Sequence, residues 1–437
     1  MTGDRVVTES PAGRPLVGIV GAGITGLALT QYLADRDVPS VAFEARAEPG
    51  GVIQSGTVGG RVVEAGPQRM RATPAVRSLI ETAGLDDEVI EAPDGPVYVY
   101  ADGRLREAPT SARAFLRTDL LSWPAKLRLL AEPLTRPGTG SESVAELCTR
   151  KFGRQAYERV IGPLYGGLYG SDPAEMPAAF ALEGLLDREA ETGSLLTAFR
   201  DRIAGSAGAP PVSFESGLQR LPETLADAHS DRINLETPVT DVDAAGEGYR
   251  IEAAGESATV DEAVITAPAD TAADLLAGLA TGTDALAGLR YNPLALVYLR
   301  AAREPDDRGG LGYQVSYDEE LHTLGVSFNG VMFGRDGLCT AFLGGMHEPD
   351  LVGASDDRLG RIASREFERA TGCAAEVLGV DRRDRWFPAY DHTWWGLEEF
   401  DTPPGVHLAT NYTGRLGIPS RIREARELAA DLGDRLG

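Results

Sequence analysis

The chain has 437 residues, 43% of them apolar, and a formal charge of −24. That length exceeds one ordinary core and predicts two or three domains, while 66 acidic against 42 basic residues leave no basic face to neutralise phosphates, which argues against a nucleic-acid partner. Lys126 and Lys151 are the only lysines and all other positive charge is arginine, a balance that looks like adaptation to concentrated salt, where a strongly hydrated anionic surface keeps a protein dissolved.

Met1–Gly13 reads as a polar lead-in. Leu16–Val20 is a short β-branched run that ends on Gly21-Ala22-Gly23-Ile24-Thr25-Gly26, and Leu27, Leu29, Tyr32 and Leu33 then carry helical spacing. A second apolar run, Val41–Phe43, delivers Glu44 eighteen residues beyond Gly26. Strand, glycine turn, helix, strand and acid is the context a dinucleotide fingerprint requires. Gly21 permits the sharp turn, Gly23 lets backbone touch a pyrophosphate, Gly26 lets helix and strand pack, and Glu44 accepts from ribose hydroxyls. The competing reading takes the uncharged Pro15–Ala34 as a signal or membrane segment; its glycines and the lack of a small-residue cleavage site argue against that.

Two further glycine turns follow, Pro49-Gly50-Gly51-Val52-Ile53-Gln54 and Glu64-Ala65-Gly66-Pro67-Gln68-Arg69-Met70-Arg71. They predict backbone crowding a bulky planar ligand, with surface hairpins as the alternative. Thr73-Pro74 starts a helix, and Val97–Leu105 forms a hairpin around Asp102-Gly103. From Ser111 to Phe199 the pattern is mostly helical, with Ser143 and Glu146 as a capping box. Phe115, Leu116, Leu120, Leu121, Trp123, Leu127, Leu129, Leu130 and Leu134 make this stretch unusually apolar on one side, either a helical core layer or a face that rests on a bilayer or admits a greasy substrate.

Strand character returns at Val212–Phe214, Ile233–Val242, Ala258–Val260 and Ala263–Ala267. Leu289–Glu304, Leu324–Gly330 and Cys339–Gly345 read as a mostly antiparallel sheet, Asp356–Thr371 as a charged amphipathic helix, Val406–Thr410 as a strand, and a last helix starts at Ser420. Cys148, Cys339 and Cys373 are scattered, which indicates neither a disulfide framework nor a zinc site and fits a reducing cytoplasm. His229, His322, His347, His392 and His407 are equally dispersed and read as surface or packing residues.

In this order the residues resemble the FAD-dependent protoporphyrinogen/coproporphyrinogen oxidases of the flavin amine-oxidase superfamily, from Val17 to Leu432. The resemblance is carried by Glu44-Ala45-Arg46 with Gly50-Gly51, by Ala65–Arg69, and by Lys126-Leu127-Arg128, Arg150–Gly153 and Gly162–Pro173 in the helical stretch. Phe214–Pro222 and Gly417–Ile422 complete it, with Ser216 where the family has glycine. It implies an α/β fold: a discontinuous Rossmann-like FAD-binding domain (14–72, 212–270 and 386–437), a mixed or antiparallel substrate-binding sheet (73–108 and 271–385) and a helical insert (109–211). FAD would be held, without a covalent link, by Gly21, Gly23, Ile24, Thr25, Gly26, Glu44, Ala45, Arg46, Gly50, Gly51, Val52, Gly66, Pro67, Gln68, Val239, Ala267, Asn411, Gly417 and Ile418, with Val239 reaching the adenine.

The implied activity is oxidation of a porphyrinogen by successive two-electron steps with O2 as acceptor, in heme biosynthesis, the flavin N5 doing the chemistry without a catalytic side chain or metal. Arg71, then Arg69, would bind the substrate's propionates; the alternative for either is a surface arginine paired with acids. The insert would bring peripheral membrane contact from the cytoplasmic side. Ala409-Thr410-Asn411 and Arg415-Leu416 depart from the family where the flavin ring is lined, so a different substrate stays open. Another flavin oxidase or desaturase, or a non-catalytic flavin-binding protein, also stays open, although the lysine usual in the amine-oxidase branch is missing from Leu289–Glu304.

Overall fold

The computed structural model describes residues 14–109, 111–205, 208–305, 309–414 and 416–436; the lead-in Met1–Gly13, and Arg415 of the family departure, lie outside the described residues. The fingerprint folds as read: strand β1 (Val17–Val20), helix α1 (Ile24–Ala34) and strand β2 (Ser40–Phe43). β1 and β2 are wholly buried and α1 is buried from Ile24 to Leu33, so both faces of this unit are covered, as its near-continuous apolar run requires. Five parallel strands line up in the order Ile233–Asn234, β2, β1, Glu262–Ile265, Val406–Leu408. One sheet thus draws on the beginning, middle and end of the chain, and the terminal helix Ile418–Leu436 packs back on α1.

The expected Ile233–Val242 strand is two elements, and Glu236 between them takes φ +52. Ile233–Asn234 stays in the parallel sheet, whereas Val239–Ala245 opens a separate antiparallel sheet with Gly248–Ala253 and Glu256–Val260. The last helix begins at Ile418, two residues early, because Pro419 fits a first helical turn that has no use for its missing N–H. Thr73 is the N-cap of Pro74–Thr82 but caps nothing with its hydroxyl; the proline sets that start. Val76, Leu79 and Ile80 of that helix share the core of the parallel sheet, and Val89–Glu91 pairs with Pro211–Phe214, so the chain enters the second sheet only at Val97.

That second sheet has seven strands, in the order Ala375–Pro388, Tyr291–Ala301, Leu338–Gly344, Thr323–Ser327, Gly312–Val315, Val97–Ala101, Arg104–Glu107. All neighbours are antiparallel except the parallel contact of Gly312–Val315 with Val97–Ala101, so the sheet is mixed. Asp102 and Gly103 both have positive φ, the requirement of a tight two-residue hairpin. Helix Asp356–Thr371 covers one face through Leu359, Ala363 and Phe367, starting at the Ser355 cap and stopping at left-handed Gly372. The strand expected over Leu324–Gly330 stops at Ser327, and Asn329–Phe333 is a short helix.

The insert is helical from Ala112 to Gly205, and Ser143 and Glu146 form the expected reciprocal cap. Both lysines are buried in it. Lys126 Nζ donates to the carbonyls of Leu116 and Thr118 at 2.9 and 2.6 Å, and Lys151 Nζ meets Glu132 Oε1 at 2.9 Å with Glu189 beside it. The exposed positive charge of the described residues is therefore carried by arginine. Leu120 and Leu121 are buried and Phe115 and Leu129 pack half-buried on the core, whereas Leu116, Trp123, Leu127 and Leu130 are more than half exposed and Leu134 is 89% exposed, so the stretch is part core layer and part exposed face. No helix among the described residues is long and apolar enough to cross a membrane.

Candidate cofactor and substrate site

The site grows out of backbone contacts between glycine turns. Gly21 has φ +104, a conformation that side chains resist, and Thr266 Oγ1 donates to the carbonyls of Val20 and Gly21 at 2.9 and 3.1 Å. A Cβ on Gly26 would lie 2.1 Å from Gly21 O, so helix and turn touch directly. Gly50 N donates to Ala22 O at 2.8 Å, laying the second glycine turn alongside the first, and a Cβ on Gly51 would sit 3.1 Å from Gly23 Cα. Gly66 joins them: a Cβ there would lie 2.1 Å from Val52 O.

Glu44, directly after β2, is buried at the edge of this cradle. Ala22 N donates to its Oε2 at 2.8 Å and Arg46 N to its Oε1 at 3.0 Å, which fixes the carboxylate while leaving each oxygen a lone pair for a further donor. Arg46 Nη2 donates to Gly51 O at 2.6 Å, so it braces the second turn. Thr237 N donates to Glu44 O and Glu236 N to Arg46 O, at 2.8 and 3.0 Å, which brings the start of the Val239 strand beside Glu44. Ala267 is tied to the C-terminal segment by Tyr412 Oη at 3.0 Å, and Arg421 Nη1 donates to Thr410 O, next to Asn411. Ile24 and Ile418 lie in one core. Thr25 is buried, Pro67 and Asn411 are half-buried, and Ala45, Val52 and Gly417 are exposed.

Beyond Gly66 the chain turns toward the second sheet. Gln68 Nε2 donates to Glu64 O and Gly66 O, at 3.0 and 2.9 Å, and its Oε1 accepts from Asn329 Nδ2 at 3.0 Å. Met70 is buried, so Arg69 and Arg71, one residue to each side, share the opposite face of this extended segment. Both are accessible to solvent. Arg71 Nη1 donates to Ala209 O and Arg69 Nη1 to Met332 Sδ, each at 3.2 Å, and neither pairs with a carboxylate among the described residues. Surrounding protein desolvates the Arg69 guanidinium and the Arg71 charge adds to the effect, pulling its pKa down to about 10.

Sequence reasoning missed Glu64, Asn329, Met332 and Arg335, which hold the Gly66–Arg71 segment from below and from the second sheet. Only Glu64 carried a signal, an acid closing an apolar strand directly before Gly66-Pro67. Within the site the described residues contain no group of His, Cys, Asp or Glu arranged to hold a metal ion.

A parallel sheet with a glycine cradle and a buried acid at its edge, joined to a mixed sheet, defines a dinucleotide-binding oxidoreductase of two lobes. The pattern of the flavin containing amine oxidoreductases matches residues 24–432, and the chain belongs to that family; it is an FAD-dependent oxidoreductase. Curated relatives include protoporphyrinogen oxidase 2 of Arabidopsis thaliana, 26% identical over 95% of this chain and 93% of the relative. Coproporphyrinogen III oxidase of Mycobacterium bovis is 26% identical over 93% and 95%. Among solved structures, an Exiguobacterium protein provisionally named a protoporphyrinogen oxidase aligns with a TM-score of 0.78 at 22% identity, covering 98% of this chain and all of the other.

The residues present fit FAD. The space beside Gly23 that a larger residue would fill lies at the N-cap of α1, and the fixed Glu44 carboxylate retains acceptor capacity for a ribose diol.

Proposed function

We propose that this chain oxidises a porphyrinogen to its porphyrin with O2 as final acceptor, in heme biosynthesis. The observation that carries the reading is the Arg69–Arg71 pair. In a chain of charge −24, two exposed guanidiniums on one face, beside the Gly66–Gln68 turn, have no carboxylate partner among the described residues and are held only by a carbonyl and a thioether. That arrangement suits a ligand that brings its own carboxylates, as propionate-bearing macrocycles do. When bound, FAD supplies the hydride acceptor. This chain's own residues bind the cofactor's ribose through Glu44, crowd its ring with Val52 and Gly66, and hold the substrate's acid groups through Arg69 and Arg71. The two names among the relatives, protoporphyrinogen and coproporphyrinogen III oxidase, support the substrate class.

An amine substrate is the second reading, since an amine oxidase, cyclohexylamine oxidase of Brevibacterium oxydans IH-35A, shares the fold with a TM-score of 0.72 at 18% identity, covering 97% of this chain and 99% of the other. Both lysines of this chain are buried in the helical insert, so the second sheet has none to offer a flavin. Purified protein with a flavin spectrum, titrated anaerobically with each porphyrinogen, separates the two. Bleaching followed by porphyrin fluorescence on admitting O2 is expected; no bleaching by either porphyrinogen, with bleaching by an amine, overturns the reading. Arg71→Ala and Arg69→Ala should each lower kcat/KM by about one to two orders of magnitude with FAD retained, and lysine should restore only part.

The exposed ridge of Leu116, Trp123, Leu127, Leu130 and Leu134, with Arg113 and Arg117 exposed on the adjoining helix, supports a cytoplasmic enzyme that rests on an anionic membrane surface. Cosedimentation with phosphatidylglycerol vesicles, reduced by Leu127→Ser with Leu134→Ser, is the expected result; equal recovery of both proteins in the supernatant overturns it.

A further inference from the structure

We propose that Met332 is a positioning residue for substrate carboxylates: its thioether holds the Arg69 guanidinium in place without neutralising it. The inference rests on the reading of Arg69 and Arg71 as the carboxylate site and names what keeps that site ready.

The short helix Asn329–Phe333 and the turn after it send three side chains, each three positions after the last, onto the other lobe. Asn329 Nδ2 donates to Gln68 Oε1 at 3.0 Å, Met332 Sδ accepts from Arg69 Nη1 at 3.2 Å, and Arg335 Nη2 donates to Glu64 Oε1 at 2.7 Å. Asn329 and Met332 are essentially fully buried, and Met332 packs with Ala92, Leu311 and Phe333. The outer two contacts fix the helix against the Gly66–Arg71 segment. The middle one, the sole contact of the three with a solvent-accessible cation, is then placed by its neighbours rather than by its own strength.

The choice of sulfur has a chemical reason. An arginine carries five N–H donors in a planar fork. A carboxylate at position 332 would take two of them, cancel the charge and compete with any incoming acid. A plain aliphatic chain would leave the fork without a partner, free to swing toward solvent or to other acceptors. A thioether is a weak, polarizable acceptor that satisfies one N–H and leaves the rest of the fork and the whole positive charge for the ligand. Burial and the neighbouring Arg71 both disfavour the isolated cation, which a bound carboxylate would relieve. The pair is therefore poised, held in geometry yet unpaid in charge.

Coproporphyrin III, a tetracarboxylate, and its tetramethyl ester, in which the acids are blocked, are the probes, used with FAD-loaded protein and followed by porphyrin fluorescence. Met332→Leu conserves volume, so FAD occupancy and the unfolding midpoint should match wild type. The variant should bind the free acid about three- to tenfold more weakly and the ester unchanged, with the porphyrinogen KM raised and kcat kept. In an Arg69→Ala background the same change should have no effect on acid binding, because the group it positions is gone. Equal losses in both backgrounds, equal losses for acid and ester, or loss of FAD make Met332 a packing residue and overturn the proposal. If wild type itself does not prefer acid to ester, the arginine reading has failed and the proposal falls with it, a result distinguishable from an intact preference that Met332→Leu leaves untouched.

Discussion

Arg335 Nη2 lies 2.7 Å from Glu64 Oε1, an ion pair between the two lobes whose partners stand 271 residues apart and are both more than nine-tenths buried. Glu64 also accepts from Leu218 N at 3.1 Å and Ser55 Oγ at 2.6 Å, and Arg335 donates to Ser213 Oγ at 2.9 Å, so each charge has hydrogen-bond support beyond its partner. The pair sits directly beneath the Gly66–Arg71 segment, which makes the joint between lobes and the floor of the site one structure.

Removing only one member should be costly, because the other is left charged in a place with little water. Arg335→Met is expected to lower stability by about 3–5 kcal/mol. Pairing it with Glu64→Met should recover part of that loss, since the orphaned charge disappears with it. Urea unfolding of the single and double variants checks this; a double variant no more stable than Arg335→Met would contradict the buried-charge account.

Local chemistry was legible and distant pairing was not. The Gly21–Gly26 turn, the Ser143–Glu146 cap and the Asp356–Thr371 helix each announce themselves within a few residues, through spacing, caps and a stopping glycine. Ala375–Pro388 hid because Asp381, Arg382, Arg383, Asp384 and Arg385 look like a solvated loop. In the sheet Arg383 reaches Gln54 and Arg385 reaches Asp270, contacts set by other parts of the chain. Arg69 ranked below Arg71 for a similar reason: the two share a face, and what distinguishes them is Met332, far along the sequence. The scarcity of lysine was visible in composition, but not that both lysines lock the helical insert from inside.

Glu44→Ala should lower FAD affinity roughly 10- to 150-fold, the equivalent of losing charged hydrogen bonds worth about 1.5–3 kcal/mol. Glu44→Gln, which keeps an acceptor without the charge, should fall between. Flavin retained after gel filtration and dilution reports the effect. Full occupancy in Glu44→Ala would move the ribose contact to another residue.

Glu142 is gripped by Arg150 through Nε at 2.7 Å and Nη2 at 2.6 Å. That hydrogen-bonded pairing, opposed by burial and helped by Thr139, holds its carboxyl down to about 2. The folded-state value lies below the unfolded one near 4.3, so the pair stabilises the insert above about pH 4.3 and loses that contribution as pH falls toward about 2. With solvent screening the contribution is on the order of 1 kcal/mol. Wild type should exceed Glu142→Gln in urea midpoint at about pH 7, and the gap should close as pH drops below about 4. A gap that stays constant with pH would assign the effect to packing.

Gly23 and Gly26 sit in one turn but should fail in different ways. A Cβ on Gly26 would meet the carbonyl oxygen of Gly21 at 2.1 Å, and neither atom belongs to a flexible side chain, so β1 and α1 must separate to admit it. Gly26→Ala should therefore destabilise the fold itself, by about 1–3 kcal/mol or more, and lose FAD as a consequence. At Gly23 the nearest atom to an added Cβ is Gly51 Cα at 3.8 Å, ordinary contact, and the backbone there is extended rather than left-handed. Gly23→Ala should fold with near-normal stability, yet its methyl group would stand where the pyrophosphate must approach the backbone. The expected result is a well-folded protein whose FAD affinity falls by at least about tenfold. Urea unfolding of the cofactor-free proteins, run beside FAD titrations, separates the two outcomes. If Gly23→Ala binds FAD as tightly as wild type, the phosphates lie elsewhere along the cradle, whereas matching stability losses in both variants would make Gly23 a packing glycine.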